Sequence, residues 1–245
     1  MKEGDNMRNI ISVEKLKKSY KSKVVVDDLC FSVEKGEFFG LLGQNGAGKS
    51  TTIDCILGLK NFESGIVRIL GMDPKKSRKE LFERIGVQLQ SSSYQDKIKV
   101  YELCEEISVL YNEADDYKRL LKEFSLEKMK NNYVATLSGG EKQKLAIVLA
   151  LIPKPEVVFF DEITTGLDTK ARREVWKQLK KLKKAGVTLL LTSHYMDEVE
   201  ELCDKICIIN NGKEVISGRI EEVISSSPYT KLEDAYLWYM EKEEV

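Results

Sequence analysis

The sequence has no long apolar run. The longest, from Leu145 to Ile152, has eight residues, whereas a helix that spans a bilayer needs about 18 or more. The first six residues are polar and lack the apolar core of a secretory signal. We therefore expect a protein with no membrane anchor of its own, so that any role at a membrane requires a partner protein.

The sequence also lacks an excess of charge and a metal-binding cysteine pattern. Its formal net charge is -1, whereas a dedicated nucleic-acid binder is usually basic. The five cysteines are odd in number, and their spacing fits no zinc site. We interpret them as reduced residues, mostly used in packing, which predicts a reducing compartment.

A phosphate-binding loop is the strongest motif present. Residues 43–51 read Gly-Gln-Asn-Gly-Ala-Gly-Lys-Ser-Thr and fit the pattern G-x-x-x-x-G-K-[ST]. The apolar run 38–42 before it predicts a buried strand, and Ser50 to Leu57 predicts a helix. Successive amide groups at such a helix start bind phosphates. Lys49 would neutralise terminal phosphate oxygens, and the Ser50 hydroxyl would hold Mg²⁺.

The order of patterns predicts an α/β core with an inserted helical lobe. Short strands are expected at Ile10–Leu16 and Val24–Val26, and apolar runs at 157–160 and 187–192 are typical of buried parallel strands. From Val100 to Phe124 the apolar spacing is helical. We assign 1–90 and 152–218 to the α/β core, 91–151 to the helical lobe and 219–245 to a helical tail.

Two further segments suggest chemistry. Asp161 and Glu162 follow an apolar strand, at the edge where open α/β sheets bind ligands. Asp161 suits Mg²⁺ binding, and Glu162 can polarise an attacking water. Leu137-Ser138-Gly139-Gly140-Glu141 precedes a helix and forms either an ordinary cap or a second anion site.

Together these motifs resemble the nucleotide-binding subunit of an ATP-binding cassette (ABC) transporter, from Tyr20 to Gly218. The phosphate loop resembles Walker A, residues 157–162 resemble Walker B, and Leu137–Glu141 resembles the LSGGQ element that defines the class. Thr165-Gly166-Leu167-Asp168 is similar to the D-loop. The resemblance implies a P-loop NTPase (RecA-like) parallel core, an antiparallel β subdomain and an inserted α-helical subdomain.

The resemblance also implies a set of residue roles. The catalytic residues would be Glu162, His194, Lys49 and Gln90, with Mg²⁺ held by Ser50, Gln90 and Asp161. Residues that would bind ATP are Tyr20, which stacks on adenine, and Gly43, Gln44, Asn45, Gly46, Ala47, Gly48, Lys49, Ser50, Thr51, Ser138, Gly139, Gly140 and Asp168. Ser138 and its two glycines would act on the nucleotide held by a second copy.

Some assignments leave alternatives open. Gln88 competes with Gln90 for the Q-loop position, and Asp168 is also a plausible helix cap. His194 is the only histidine in the chain, and a lone histidine is often a polar filler. Glu141 stands where the family usually has glutamine, and Ile163 replaces the usual proline. Neither change removes a group that ATP binding needs.

The function implied by the resemblance is ATP hydrolysis that powers transport through a separate transmembrane permease subunit. The cassettes would work as a pair, with a homodimer expected and no nucleic-acid partner, on the cytoplasmic face of the cell membrane. Segments such as Ser193–Glu198 and the short tail are similar to bacterial exporters of the drug, lantibiotic or antibiotic-resistance type. The alternatives are an importer cassette and a soluble ABC ATPase that is not coupled to transport.

Overall fold

The computed structural model of the protein describes residues 9–89, 94–95 and 97–242. Its strands are β1 (Asn9–Tyr20), β2 (Lys23–Glu34), β3 (Phe38–Leu42), β4 (Ser64–Ile69), β5 (Ile85–Gln88), β6 (Val157–Asp161), β7 (Thr188–Ser193), β8 (Lys205–Asn210) and β9 (Lys213–Arg219). Its helices are α1 (Lys49–Ile56), α2 (Arg78–Phe82), α3 (Val100–Ser108), α4 (Tyr117–Glu123), α5 (Gly139–Leu151), α6 (Thr169–Lys184), α7 (Met196–Leu202), α8 (Ile220–Ser225) and α9 (Leu232–Lys242). Within these ranges, no helix is long and apolar enough to cross a membrane.

The described chain forms two compact units. The first contains the residues up to Leu81 and those from Thr188 onward, and the second runs from Phe82 to Val187. The helical lobe predicted at 91–151 falls inside the second unit. That unit also contains β5, β6 and α6, which the sequence analysis assigned to the α/β core.

The first unit contains a set of parallel strands with β3 in its middle. β7 and β8 pair with β3 in parallel, and β9 adds to β8 in the antiparallel sense. All residues of β3 and β7 are buried, as expected for parallel strands that are covered on both faces. The carboxyl ends of β3 and β7 therefore lie side by side, with Leu42 opposite Ser193.

A second sheet of the first unit is antiparallel, in the order β2-β1-β4. Its strands are longer than the sequence predicted: β1 extends beyond the strand expected at Ile10–Leu16, and β2 extends beyond the one expected at Val24–Val26. Register shifts interrupt the β1–β2 ladder, for example between Val13 and Leu16. Lys15 and Asp28 adopt positive φ angles of 48° and 55°. Such irregularities break the alternation of apolar residues while the ladder continues.

In the second unit, β5 and β6 are parallel, with Gln88 opposite Phe160. The stretch from residue 100 to 124, in which the apolar spacing is helical, contains two helices, α3 and α4. The chain leaves the helix after Ser108, and α4 begins at a new cap, where the Asp116 carboxylate accepts a hydrogen bond from the backbone amide of Lys118 at 2.9 Å. Periodicity continued across this break, so it did not reveal the loop.

None of the five cysteines, all of which lie in the described part of the chain, forms a disulfide bond, in agreement with the prediction that they are reduced. Cys30 is exposed, and the other four are buried. Burial raises the pKa of the Cys55 thiol to about 11 and that of Cys104 to about 12. These thiols therefore remain protonated at neutral pH and act as packing residues.

Candidate active site

The phosphate loop joins β3 to α1, as the sequence predicts. Gly48 is the N-cap of α1 and has a φ of 106°, a conformation that favours glycine. A Cβ atom there would lie 2.5 Å from the backbone oxygen of Val25, and one at Gly43 would lie 2.5 Å from that of Ile209. The Gly212 amide donates to the carbonyl of Ala47 at 3.0 Å. Neighbouring backbone thus holds the loop in shape.

Lys49 is positioned inside this loop. Its side chain is 5% exposed, and its Nζ donates to the carbonyl oxygens of Gly43 at 2.8 Å and of Gln44 at 3.1 Å. The ammonium group is therefore held within the loop that the sequence assigns to phosphate. Ser50 and Thr51 follow Lys49, the first residue of α1, and are half-buried. They therefore lie in the first turn, where the helix dipole favours anions.

His194 lies at the same edge of the sheet as the phosphate loop. It follows Ser193, which pairs with Leu42, while the phosphate loop begins at the next residue, Gly43. The imidazole is exposed, and its centroid is 4.1 Å from that of the Tyr195 ring. An exposed histidine at the carboxyl edge of a parallel sheet is placed to meet a ligand there.

Tyr20 ends β1, and its side chain is 42% exposed. The Nζ atoms of Lys18 and Lys60 lie 4.7 and 5.7 Å from the centroid of its ring. A hydrogen bond to the Asp54 carboxylate raises the pKa of Lys60, and a hydrogen bond to the Tyr20 hydroxyl raises it further by a smaller amount. The ring is therefore an accessible aromatic surface bordered by cations, in the same unit as the phosphate loop.

Asp161 and Glu162 occupy the end of β6 in the second unit. Asp161 is the last strand residue and is 3% exposed. Glu162 has a φ of 54°, and its carbonyl accepts a hydrogen bond from the Thr165 amide at 3.2 Å. A left-handed conformation costs a residue with a side chain about 1–2 kcal/mol. Such strain is often found at functional sites, where it fixes the direction of a side chain.

The Ser138 turn begins α5 and forms a complete capping box. The Ser138 hydroxyl donates to the Glu141 carboxylate at 2.8 Å and accepts from the Glu141 amide at 3.3 Å. The same carboxylate accepts from the Ser138 amide at 2.8 Å. These contacts lower the pKa of Glu141, the backbone amide having the largest effect. This role of Glu141 was not predicted, although the spacing S-x-x-E is its signal.

The D-loop segment lies against the Ser138 turn within the second unit. A Cβ atom on Gly140 would lie 3.3 Å from Cδ2 of Leu167. Next to Leu167, the Asp168 carboxylate accepts a hydrogen bond from the Ala171 amide at 2.8 Å and caps α6. The predicted capping role of Asp168 is therefore confirmed, and its predicted contact with nucleotide stays a prediction.

Gln90 lies outside the described residues. Its competitor Gln88 ends β5 and is 5% exposed. The Nε2 of Gln88 donates to the carbonyl of Leu89 at 2.9 Å, while its Oε1 has no hydrogen-bond partner within the described residues. The assignment of the Q-loop glutamine to Gln90 stays a prediction.

Comparison with known proteins decides the family. The profile described as "ABC transporter" matches residues 26–165. The chain belongs to the ABC transporter family. A Nod factor export ATP-binding protein I from Ralstonia nicotianae is 39% identical over 88% of this chain and 69% of its own. The protein of the same name from Paraburkholderia xenovorans is 38% identical over 88% and 73%.

Solved structures agree with this assignment. An ATP-binding subunit of an ABC transporter superposes with a TM-score of 0.87 at 28% identity, covering 94% of this chain and 99% of the other. An ABC transporter cassette in its ADP conformation gives a TM-score of 0.78 at 26% identity, covering 94% and 98%. The predicted α/β P-loop NTPase fold is thereby confirmed. The chain is an ATP-binding and ATP-hydrolysing cassette of a transporter.

The cassette therefore presents two groups of candidate residues. In the first unit, the phosphate loop and His194 meet at one sheet edge. In the second unit, the Ser138 turn lies against the D-loop segment. One further pair of residues was not predicted. The side chains of Ser193 and Glu198 are hydrogen-bonded to each other beside His194. Their spacing matches no general motif, so the sequence alone carried no signal for them.

Proposed function

We propose that this cassette powers export of a substrate through a separate membrane subunit. The observation that carries the proposal is the pairing of Leu42 with Ser193, which sets the phosphate loop and His194 side by side at the carboxyl edge of one sheet. This arrangement suits a nucleotide whose terminal phosphate meets both the loop and the imidazole. Export, rather than import, rests on the relatives, which are named as export ATP-binding proteins.

In the proposed reaction, the loop binds the triphosphate and Glu162 acts on the water. The loop amides and the Lys49 ammonium stabilise negative charge on the phosphates. The Glu162 carboxylate orients the attacking water and accepts its proton, as a general base does. The His194 imidazole holds the γ-phosphate. Adenine stacks on the exposed ring of Tyr20, whose flanking lysines attract the anionic nucleotide.

The hydroxyl, carboxylate and side-chain amide oxygens proposed as ligands fit Mg²⁺, which prefers oxygen ligands. Ser50 offers a hydroxyl at the start of α1, and Asp161 offers a buried carboxylate at the end of β6. Mg²⁺ is usually bound by one or two carboxylates together with waters and substrate phosphates, so a small set of protein donors is sufficient. Ser50, Gln90 and, through water, Asp161 would hold the ion, which neutralises charge on the phosphates.

We assign the Ser138 turn to the nucleotide of a second copy. Ser138 and Gly139 are exposed, and a Cβ atom on Gly139 would meet nothing within 4 Å. Since the capping box engages the Ser138 and Glu141 amides, we assign the contact with an anion presented from outside the chain to the Gly139 and Gly140 amides. In a homodimer related by a two-fold axis, each turn completes the site of the partner. The membrane subunit then responds to closure and opening of the dimer at the cytoplasmic face.

The substitution Glu162→Gln tests the proposal. The amide keeps the shape of the side chain but cannot accept the proton from water, so we expect ATP turnover to fall by about 100-fold or more. ATP binding should persist, and the protein should accumulate as an ATP-bound dimer. Phosphate release and light scattering measure the two effects.

A matched substitution provides the control. Glu221→Gln removes one charge from an exposed residue of α8 and should leave turnover and oligomeric state unchanged. If the Glu162→Gln protein hydrolysed ATP at the rate of this control, Glu162 would not be the base.

A further inference from the structure

A hydrogen-bonded turn fixes the backbone of His194. Ser193 is the last residue of β7 and is 1% exposed. Its hydroxyl oxygen accepts a hydrogen bond from the Tyr195 amide at 3.0 Å, so the bond spans His194. A serine side chain that bonds the amide two residues later closes a turn of defined shape. The direction in which His194 leaves the backbone therefore depends on the position of the Ser193 hydroxyl.

A buried carboxyl group holds that hydroxyl. Glu198 on α7 is 1% exposed, and its Oε2 accepts the hydrogen bond donated by Ser193 Oγ at 2.6 Å. This distance lies in the short range found when a hydroxyl donates to a carboxylate. The hydroxyl thus accepts from one side and donates to the other, which defines its orientation. The pair joins the start of α7 to the end of β7.

The cost of burying Glu198 argues for a specific role. Its helical neighbours Val199 and Leu202 are also buried, and an apolar side chain would suit this packing. A buried carboxyl group is costly unless it is hydrogen-bonded, and replacing buried polar pairs by apolar residues is often neutral or stabilising. Orientation of the adjoining turn gives the glutamate a role that an apolar side chain of similar size could not fill.

We propose that Glu198 is a positioning residue: through Ser193 it fixes the turn that directs the His194 imidazole toward the γ-phosphate. This inference rests on the proposed function, which gives His194 that contact. Ser193 is paired with Leu42, one residue before the phosphate loop, so a shift of the turn displaces the imidazole directly with respect to the loop. Glu198 itself touches no substrate.

Four variants of the full chain separate this role from general stability. Glu198→Leu removes the acceptor, and Ser193→Ala removes the link while leaving Glu198 in place. Glu198→Gln keeps an oxygen acceptor of the same shape. Glu201→Leu makes the same replacement as the first variant at an exposed position of α7. Circular dichroism and urea unfolding identify any variant that fails to fold. Ser193→Ala changes the side-chain volume least, so it disturbs the packing least.

The kinetic expectation is a loss in kcat without a loss in KM. A small displacement of a catalytic group can cost about 100-fold in rate, so we expect kcat to fall by about 10- to 100-fold in Ser193→Ala and Glu198→Leu. The KM for ATP should change by less than about twofold, because phosphate binding depends mainly on the loop. Glu198→Gln and Glu201→Leu should stay within about threefold of the original kcat.

The single histidine allows a direct readout. Since His194 is the only histidine, an NMR spectrum of protein labelled at histidine contains one imidazole signal. Addition of Mg²⁺ and the β,γ-imido analogue of ATP should shift this signal in the original protein and in Glu198→Gln. The shift should be lost or reduced by more than half in Ser193→Ala and Glu198→Leu. Loss of thermal stability alone would not produce this pattern.

Two results would overturn the inference. One is an unchanged kcat and an unchanged nucleotide-induced shift in Ser193→Ala. The other is a Glu198→Gln protein as impaired as Glu198→Leu, since the hydrogen-bond acceptor would then not be the relevant group. The variant His194→Ala tests the underlying proposal separately. Full turnover in His194→Ala would refute the role of the histidine, whereas its inactivity together with an active Ser193→Ala would refute the positioning role alone.

Discussion

At the scale of single residues, the phosphate loop shows how backbone geometry restricts the choice of side chain. Gly46 and Gly48 both have positive φ angles, 84° and 106°. A Cβ atom at Gly46 would meet nothing within 4 Å, whereas one at Gly48 would lie 2.5 Å from the backbone oxygen of Val25. Both positions carry conformational strain for alanine, but only Gly48 adds a clash with backbone.

We predict that Gly48→Ala destabilises the protein more than Gly46→Ala. The left-handed conformation costs alanine about 1–2 kcal/mol at either position, and the clash at Gly48 adds about 1–3 kcal/mol. Urea unfolding measured without nucleotide gives the two free energies of unfolding. Equal free energies of unfolding for the two variants would show that β2 moves away from the added Cβ atom at no cost, so that Val25 does not fix the loop.

The sequence predicted the identity of most candidate residues but not their conformation. The motif at 43–51 and the position of Asp161 after an apolar run point to these residues as candidates. The left-handed φ of Glu162 was not predictable, because a residue with a long side chain rarely adopts this conformation. The Ser193–Glu198 pair arises only when α7 folds back onto β7.

At the scale of elements, one glycine sets the contact between α5 and β5. A Cβ atom on Gly86 would lie 2.0 Å from the carbonyl oxygen of Ala150. Helix and strand therefore approach until their backbones touch, a packing that any side chain at this position prevents. The Ser138 turn lies at the other end of the same helix, so this contact also helps to position the turn.

We predict that Gly86→Ala lowers the free energy of unfolding by about 1–3 kcal/mol or more, through overpacking. The control is Gly139→Ala in the first turn of α5, where an added Cβ meets nothing within 4 Å and alanine favours the helix. Urea unfolding compares the two proteins. If both unfold at the same urea concentration, α5 does not depend on close contact with β5.

The elements themselves were predicted unevenly. The buried strands β3, β6 and β7 were expected from continuous apolar runs, since burial on both faces leaves a clear signal. The length of β1 was underestimated because register shifts disturb its alternation. The break after Ser108 was missed, because apolar residues on both sides share a helical spacing while a local cap, at Asp116, begins the second helix.

At the scale of the whole molecule, the candidate residues are distributed over two compact units. An ABC cassette hydrolyses ATP, and the phosphate loop and His194 in the first unit provide only part of the proposed chemistry. The exposed Ser138 turn in the second unit is the part that we assign to a partner copy. The domain limits predicted at 91 and 151 stay a prediction, because the compact unit extends from Phe82 to Val187.

The assignment in trans predicts complementation between two inactive proteins. Ser138→Arg places a bulky cation on the turn, so that protein should bind ATP but not hydrolyse it. Lys49→Ala removes the ammonium from the phosphate loop and should also be inactive. In a mixed two-fold dimer, the intact loop of the first variant faces the intact turn of the second, which restores one of two sites.

With equal mixing, half of the dimers are mixed and each has one complete site, so we expect about a quarter of the original turnover. Phosphate release from each variant alone and from the mixture measures this recovery. If the turn served the nucleotide of its own chain, every chain in the mixture would still carry one defect, and no activity would return. Loss of ATP binding by the Ser138→Arg monomer would count equally against an assignment in trans, because it would place the turn at its own chain's nucleotide.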